Sequence, residues 1–248
     1  MGKVRDRNLS GSTKVIGRCL SAQELLTFEI QSLSNMRTLQ WPARLSNWKS
    51  EISTAVRKAE AGGLLETHVS FQALNPRGKS TDFHDVELGA QIGIGERPLV
   101  TYFLAIGGKD KTNTRRLLRK VHFDLQEGFD PHEPKPVLHL QVGGGISPSL
   151  ARKYSQEDFE ALHPNIEKPR IGCLPQSFAM LVHQALLEYH CTDEKLSAFV
   201  KSAGWLAVVA AAERTVLKPY FDHGDKWFAS TAKRNDSLLS CFYGLGQL

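Results

Sequence analysis

At Gly62-Gly63 the hydrophobic period of this chain changes from 3.6 residues to 2. A chain that does this cannot be all helix or all strand, because each period buries one face of only one kind of element. Before the change, Ser21 with Glu24 three residues on forms a capping box. Leu25, Leu26, Ile30 and Leu33 follow as an apolar stripe. Pro42 opens a second helix, with Leu45, Trp48, Ile52, Ala55, Val56 and Ala59 at helical spacing. The glycine pair ends it.

After Gly63 the pattern alternates. Leu65, Thr67, Val69, Phe71 and Ala73 share one face, and Glu66, His68, Ser70 and Gln72 the other. A turn at Asn75-Pro76-Arg77-Gly78 leads to a strand over 83–94, with Val86, Leu88, Ala90 and Ile92 inward and Asp85, Glu87, Gly89 and Gln91 outward. Residues 98–106 are almost wholly apolar, as in a strand covered on both faces. Gly107-Gly108-Lys109-Asp110 reads as the next turn, and strands follow over 113–125 and 136–142. Such short connections favour an antiparallel meander.

The last hundred residues read as helices: Ser155–Leu162, Pro175–Tyr189, and a long helix capped at Thr192-Asp193-Glu194 and stopped by Pro219. A short helix is expected over Lys226–Lys233. The expected fold is α+β: a five-stranded antiparallel meander packed on N-terminal and C-terminal helices. It forms a single domain over 21–248, with helices at 21–62, sheet at 64–145 and helices at 153–235. Residues 1–20 are expected to be loosely ordered.

The net charge of +5 and pI of about 9.0 are a mild basic bias, which allows an anionic partner. Cys19, Cys173, Cys191 and Cys241 form no C-x-x-C pair and have no zinc-finger spacing, as expected of free thiols in a reducing compartment. The polar start lacks the apolar core of a secretory signal, and no stretch approaches the ~20 apolar residues of a membrane span. A cytoplasmic protein without a membrane partner, a cofactor or a metal is expected.

One face of strands four and five gathers the chemistry. Leu117, Val121, Phe123 and Leu125 are expected toward the helices, with Arg116, Leu118, Lys120, His122 and Asp124 opposite. On strand five, His139 and Gln141 face the same way. If the strands pair, His122-x-Asp124 lies beside His139-x-Gln141. His68, Gln72, Glu87 and Gln91 can project there too.

Three chemistries suit such a face. A histidine pair can serve as acid and base in a metal-independent ribonuclease or phosphoesterase, with His122, Asp124, His139 and Gln141 as candidates. Two histidines and a carboxylate can bind a metal. A basic sheet face can bind nucleic acid, here through Lys109, Lys111, Arg115, Arg116, Lys120 and Arg170. Stacking aromatics are missing from the face in this alternation. Solvated faces of antiparallel sheets also carry such residues as ordinary hydrogen-bonding groups.

The segments HFD at His122, HLQVGGG from His139 and KPRIGCLPQSFAMLV from Lys168 resemble a group of uncharacterised bacterial proteins found among mobile-element and phage-defence genes. The resemblance covers only this part of the chain. It implies a multi-gene bacterial setting with a protein partner from the same operon, and it assigns no catalytic residue. The expected function is therefore nucleic-acid or protein binding through the polar sheet face. The histidine-pair enzyme and a structural subunit docking through its C-terminal helices are the alternatives.

Overall fold

In a computed structural model, the described residues are 20–74, 83–93, 99–109, 113–126, 138–143, 148–154, 171–189 and 193–231. Helix α1, Ala22–Thr38, starts at the expected capping box. Ser21 Oγ accepts from Glu24 N at 3.2 Å, and Glu24 Oε2 accepts from Ser21 N at 2.8 Å. Its buried face is Ala22, Leu25, Glu29, Ser32, Leu33 and Met36, with Leu26 and Ile30 only half-buried. Pro42 is followed by a 3-10 turn, Ala43–Leu45, and then by α2, Ser46–Glu60. Gly62, at φ +81°, and Gly63 close that helix by donating to Ala59 O and Lys58 O.

The strands β1 (Leu65–Leu74), β2 (Phe83–Gly93), β3 (Leu99–Lys109), β4 (Arg115–Gln126) and β5 (Leu138–Val142) form the expected antiparallel meander. A two-residue β6, Ile171–Gly172, adds a sixth strand beside β5. Helix α3, Pro148–Lys153, lies between β5 and β6 in the chain. Helices α4 (Phe178–Tyr189), α5 (Glu194–Val200) and α6 (Ala203–Thr231) follow.

Helices α1, α2, α4, α5 and α6 share one continuous core with the apolar sheet face. Trp48, Leu88, Ile92, Phe178 and Trp205 are among its fully buried members. The Trp48 indole N–H also donates to Ser70 O on β1, occupying a carbonyl of an edge strand.

Four local expectations need correction. Gly107 and Gly108 are not a turn: β3 runs on to Lys109, which pairs with Arg115. A bulge at Leu118 shifts the register of β4, so that Ile106 pairs with Arg119 but Gly107 with Leu117. Leu117 therefore joins Phe103, Ala105, Leu150 and Tyr154 on the polar face, and Arg116 leaves that face. The long C-terminal helix is two helices, bent by 48° at Lys201-Ser202. Asp193 caps the first and Ser202 Oγ accepts from Trp205 N in the second.

The fourth correction concerns Pro219, which lies inside α6 rather than ending it. Thr215, whose carbonyl the proline turns out, is half-buried, and Leu217 to Asp222 are exposed or half-buried, so water can satisfy that carbonyl. The expected Lys226 helix is the continuation of α6 as far as Thr231. The expectations for residues 1–19, for the helix at 155–162, and for Lys111 and Arg170 fall outside the described residues. No single helix among the described residues is long and apolar enough to cross a membrane.

Candidate functional site

The sheet face away from the core is built in rows. Thr101, Asp124 and His139 form one row across β3, β4 and β5, and Phe103, His122 and Gln141 the next. The third row is Glu87, Ala105 and Lys120 across β2, β3 and β4. The expected pairing of the two H-x-polar segments thus occurs in the register that alternation requires.

Asp124 is the hub. Thr101 Oγ1 donates to its Oδ1 at 2.7 Å. His122 Nε2 lies 3.0 Å and His139 Nε2 3.4 Å from its Oδ2. His122 and His139 are 8% and 2% exposed, so this is a nearly buried group and not a solvated one. Burial alone would raise the Asp124 pKa. The hydrogen bonds from His122 and His139, the charge on His122 and the Thr101 hydroxyl outweigh it and hold the carboxyl well below the usual range.

Gln141 is buried beside His122. Lys120 is buried on the same face, and burial lowers its pKa against the opposing pull of Asp124. Cys173, just past β6, is close enough to feel Asp124; burial first, then that charge, push its thiol up to about 12. The two imidazoles aim at the carboxylate and not at a shared vacant point. Among the described residues no group of three His, Cys, Asp or Glu could hold a metal ion.

A second cluster is only partly legible from the sequence. Glu87 is fully buried. His68 Nε2 lies 2.8 Å from its Oε2, Tyr154 OH donates to its Oε1 at 2.5 Å, and Lys153 is paired with the same oxygen. Tyr154 OH also reaches Asp85 Oδ2 at 3.2 Å. Burial would raise the Glu87 pKa, but the close approach of His68, the bonds from Lys153 and Tyr154 and the Lys153 charge bring it down to about 2. Alternation places His68 and Glu87 on this face. Lys153 and Tyr154 come from α3 and its end, where no local signal marks a partner. Together they fasten α3 onto the sheet.

An aromatic ring does occupy this face, against expectation. Phe103 hides in an apolar run, where alternation cannot be read. It is not an open stacking platform. Its ring covers Gly89 and tilts against His68 at 5.9 Å between centroids, leaving Phe103 only 9% exposed.

The proposed nucleic-acid residues scatter. Lys109 and Arg115 face each other at the connected end of the β3–β4 hairpin, with Arg115 4.0 Å from Asp85. Arg116 and Arg119 flank Leu117 and Leu118 on the same stretch, Arg119 exposed and Arg116 half-buried. Lys120 belongs to the buried network. Compared with known proteins, the chain matches no family model, no curated protein and no solved structure.

Proposed function

We propose that the chain is a nucleic-acid-binding component of a bacterial multi-gene system, holding the polyanion at the cationic end of β3 and β4. The observation that carries this is the pair of exposed side chains Lys109 and Arg115, opposite each other at the connected end of the β3–β4 hairpin, with Arg152 exposed on α3. Among the described residues, the acid paired with this group is Asp85, 4.0 Å from Arg115. Exposed guanidinium and ammonium groups bind phosphates with release of counterions, so affinity falls with salt. The resemblance of the His122–Tyr189 region to mobile-element and defence-associated proteins supports the setting. The test is binding of single- and double-stranded RNA and DNA across a salt series. A Lys109→Glu/Arg115→Glu protein should bind more weakly, with a salt slope shallower by roughly one for each phosphate that is no longer neutralised. Lys49→Glu, exposed on α2, serves as control. Binding and slope unchanged in the double variant would overturn this reading.

A second reading has its own observation. His122 turns its Nε2 to Asp124 at 3.0 Å, and its Nδ1 is buried with no hydrogen-bond partner among the described residues. A base oriented in this way by a carboxylate can take the proton of an attacking hydroxyl in phosphodiester cleavage. His139 uses the same carboxylate oxygen, so the two rings act as one unit and not as opposed acid and base. Phosphodiester cleavage that survives His122→Gln unchanged would exclude it.

A further inference from the structure

We infer that Glu29 is a pH-sensitive joint between the helices and the sheet, which holds the start of α4 in place while protonated and loosens it on ionising. Glu29 lies on the buried stripe of α1 and is 0% exposed. Its Oε1 accepts from Tyr102 OH on β3 at 2.8 Å and from Phe178 N, the first residue of α4, at 3.0 Å. One oxygen thus ties three elements together. Its Oε2 is equally buried and has no hydrogen-bond partner among the described residues.

The groups that face Glu29 are few. From β3 comes the Tyr102 phenol, and from α4 the Phe178 N–H. Neither is a cation, and no charged side chain is among the causes acting on Glu29. The elements packed on α1 add apolar side chains to the same core: Ile52 and Val56 from α2, Val86 and Leu88 from β2, Val209 and Ala212 from α6. His183 on α4, half-buried, accepts from Trp205 Nε1 and not from this group.

The protonated carboxyl fits this setting, because a neutral acid keeps both bonds to Oε1 and carries no charge. The ionised form leaves a bare oxygen in an apolar surround, which is costly unless water reaches it. Burial accordingly raises the pKa to about 7, against the opposing bonds from Phe178 and Tyr102. The weakest wall is the start of α4. Only the Phe178 N–H ties that helix to the carboxyl, and the preceding Cys173–Ser177 is irregular. That segment reaches back to the candidate site: Cys173 N donates to Leu138 O at 3.3 Å, and Gly172 pairs with His139. Ionisation of Glu29 therefore loosens the strand beside His139. This inference does not rest on the proposed function.

The test is amide hydrogen exchange by mass spectrometry on the full chain, corrected for intrinsic rates, from about pH 4.5 to about pH 8.5. Opening of residues 173–181 should rise by up to ~10-fold per pH unit between the ordinary glutamate value of 4.5 and about 7, then level off. Glu29→Gln should flatten that rise, and Glu29→Met does the same if the glutamine protein fails to fold. Tyr102→Phe removes a bond that favours ionisation and should move the levelling point to higher pH. A flat wild-type profile, the same rise in the Glu29 variants, or a rise spread evenly over the whole chain would each overturn the inference.

Discussion

His122 turns its Nε2 onto Asp124, two residues further along the same strand, across 3.0 Å. Alternation puts both side chains on one face, and His139 then reaches the same oxygen from the next strand. The carboxylate holds both rings, so removing its charge should be felt by both. Asp124→Asn is expected to cost about 2–4 kcal/mol in urea unfolding at neutral pH, since an amide presents an N–H₂ where donors already point. The folded pKa of Asp124 lies below the ordinary aspartate value of 3.8. Its contribution is therefore complete above that value and is lost as the pH falls below it. The asparagine protein should lack this part of the acid limb.

Glu87 makes a parallel prediction with a defined window. Its pKa falls from 4.5 in the unfolded chain to about 2 in the fold. The stability it supplies is present above pH 4.5 and is lost as the pH drops toward 2. Tyr154→Phe removes one of its donors and should cost about 1–2 kcal/mol at neutral pH, measured by denaturant unfolding. The same change should increase exchange in α3, which Tyr154 and Lys153 fasten to the sheet. Unchanged α3 protection would show that the Tyr154 hydroxyl takes no part in holding the helix.

Two glycines are needed by rings and not by turns. A Cβ at Gly89 would lie 2.1 Å from Phe103 Cε1, and one at Gly107 would lie 2.2 Å from Tyr154 Cε1. Both rings are buried and cannot move aside cheaply. Gly89→Ala should destabilise by about 2–3 kcal/mol, and Phe103→Leu in the same chain should recover part of that deficit. A simple sum of the two single effects would count against the clash.

Much of this fold was legible because local chemistry and global pattern agree. The capping box at Ser21 and Glu24, the glycine pair at 62–63 and the alternation of β1 and β2 each carry their own signal. The meeting of His122, Asp124 and His139 followed from alternation on condition that β4 and β5 pair in register, which they do. The bulge at Leu118 was hidden because R-R-L-L-R-K has no glycine or other mark of an extra residue. The break at Lys201-Ser202 was hidden because apolar residues continue across it, although Ser202 three residues before Trp205 is a capping signal. Glu29 could have been found: it falls four residues from Leu25 and from Leu33, on their shared face. A glutamate on an apolar stripe is the readable mark of a buried acid.

Pro219 gives the last test. It lies inside α6, where it has no N–H to offer the carbonyl one turn back and its ring crowds that carbonyl. Sequence rules would end the helix there, yet the helix continues to Thr231. The side chains from Leu217 to Asp222 are exposed or half-buried, and Lys218 pairs with Asp222 one turn on, bridging the proline. Such a pair adds only a few tenths of a kcal/mol on a helix surface. Pro219→Ala should therefore restore a hydrogen bond and stabilise the end of α6. Helicity by circular dichroism should rise, and exchange over 215–225 should slow by roughly tenfold or more, since proline costs a helix interior ~3 kcal/mol. Global stability should change much less, because no side chain from Leu217 to Asp222 is fully buried. A fall in helicity would mean that the proline fixes a bend on which α6 depends.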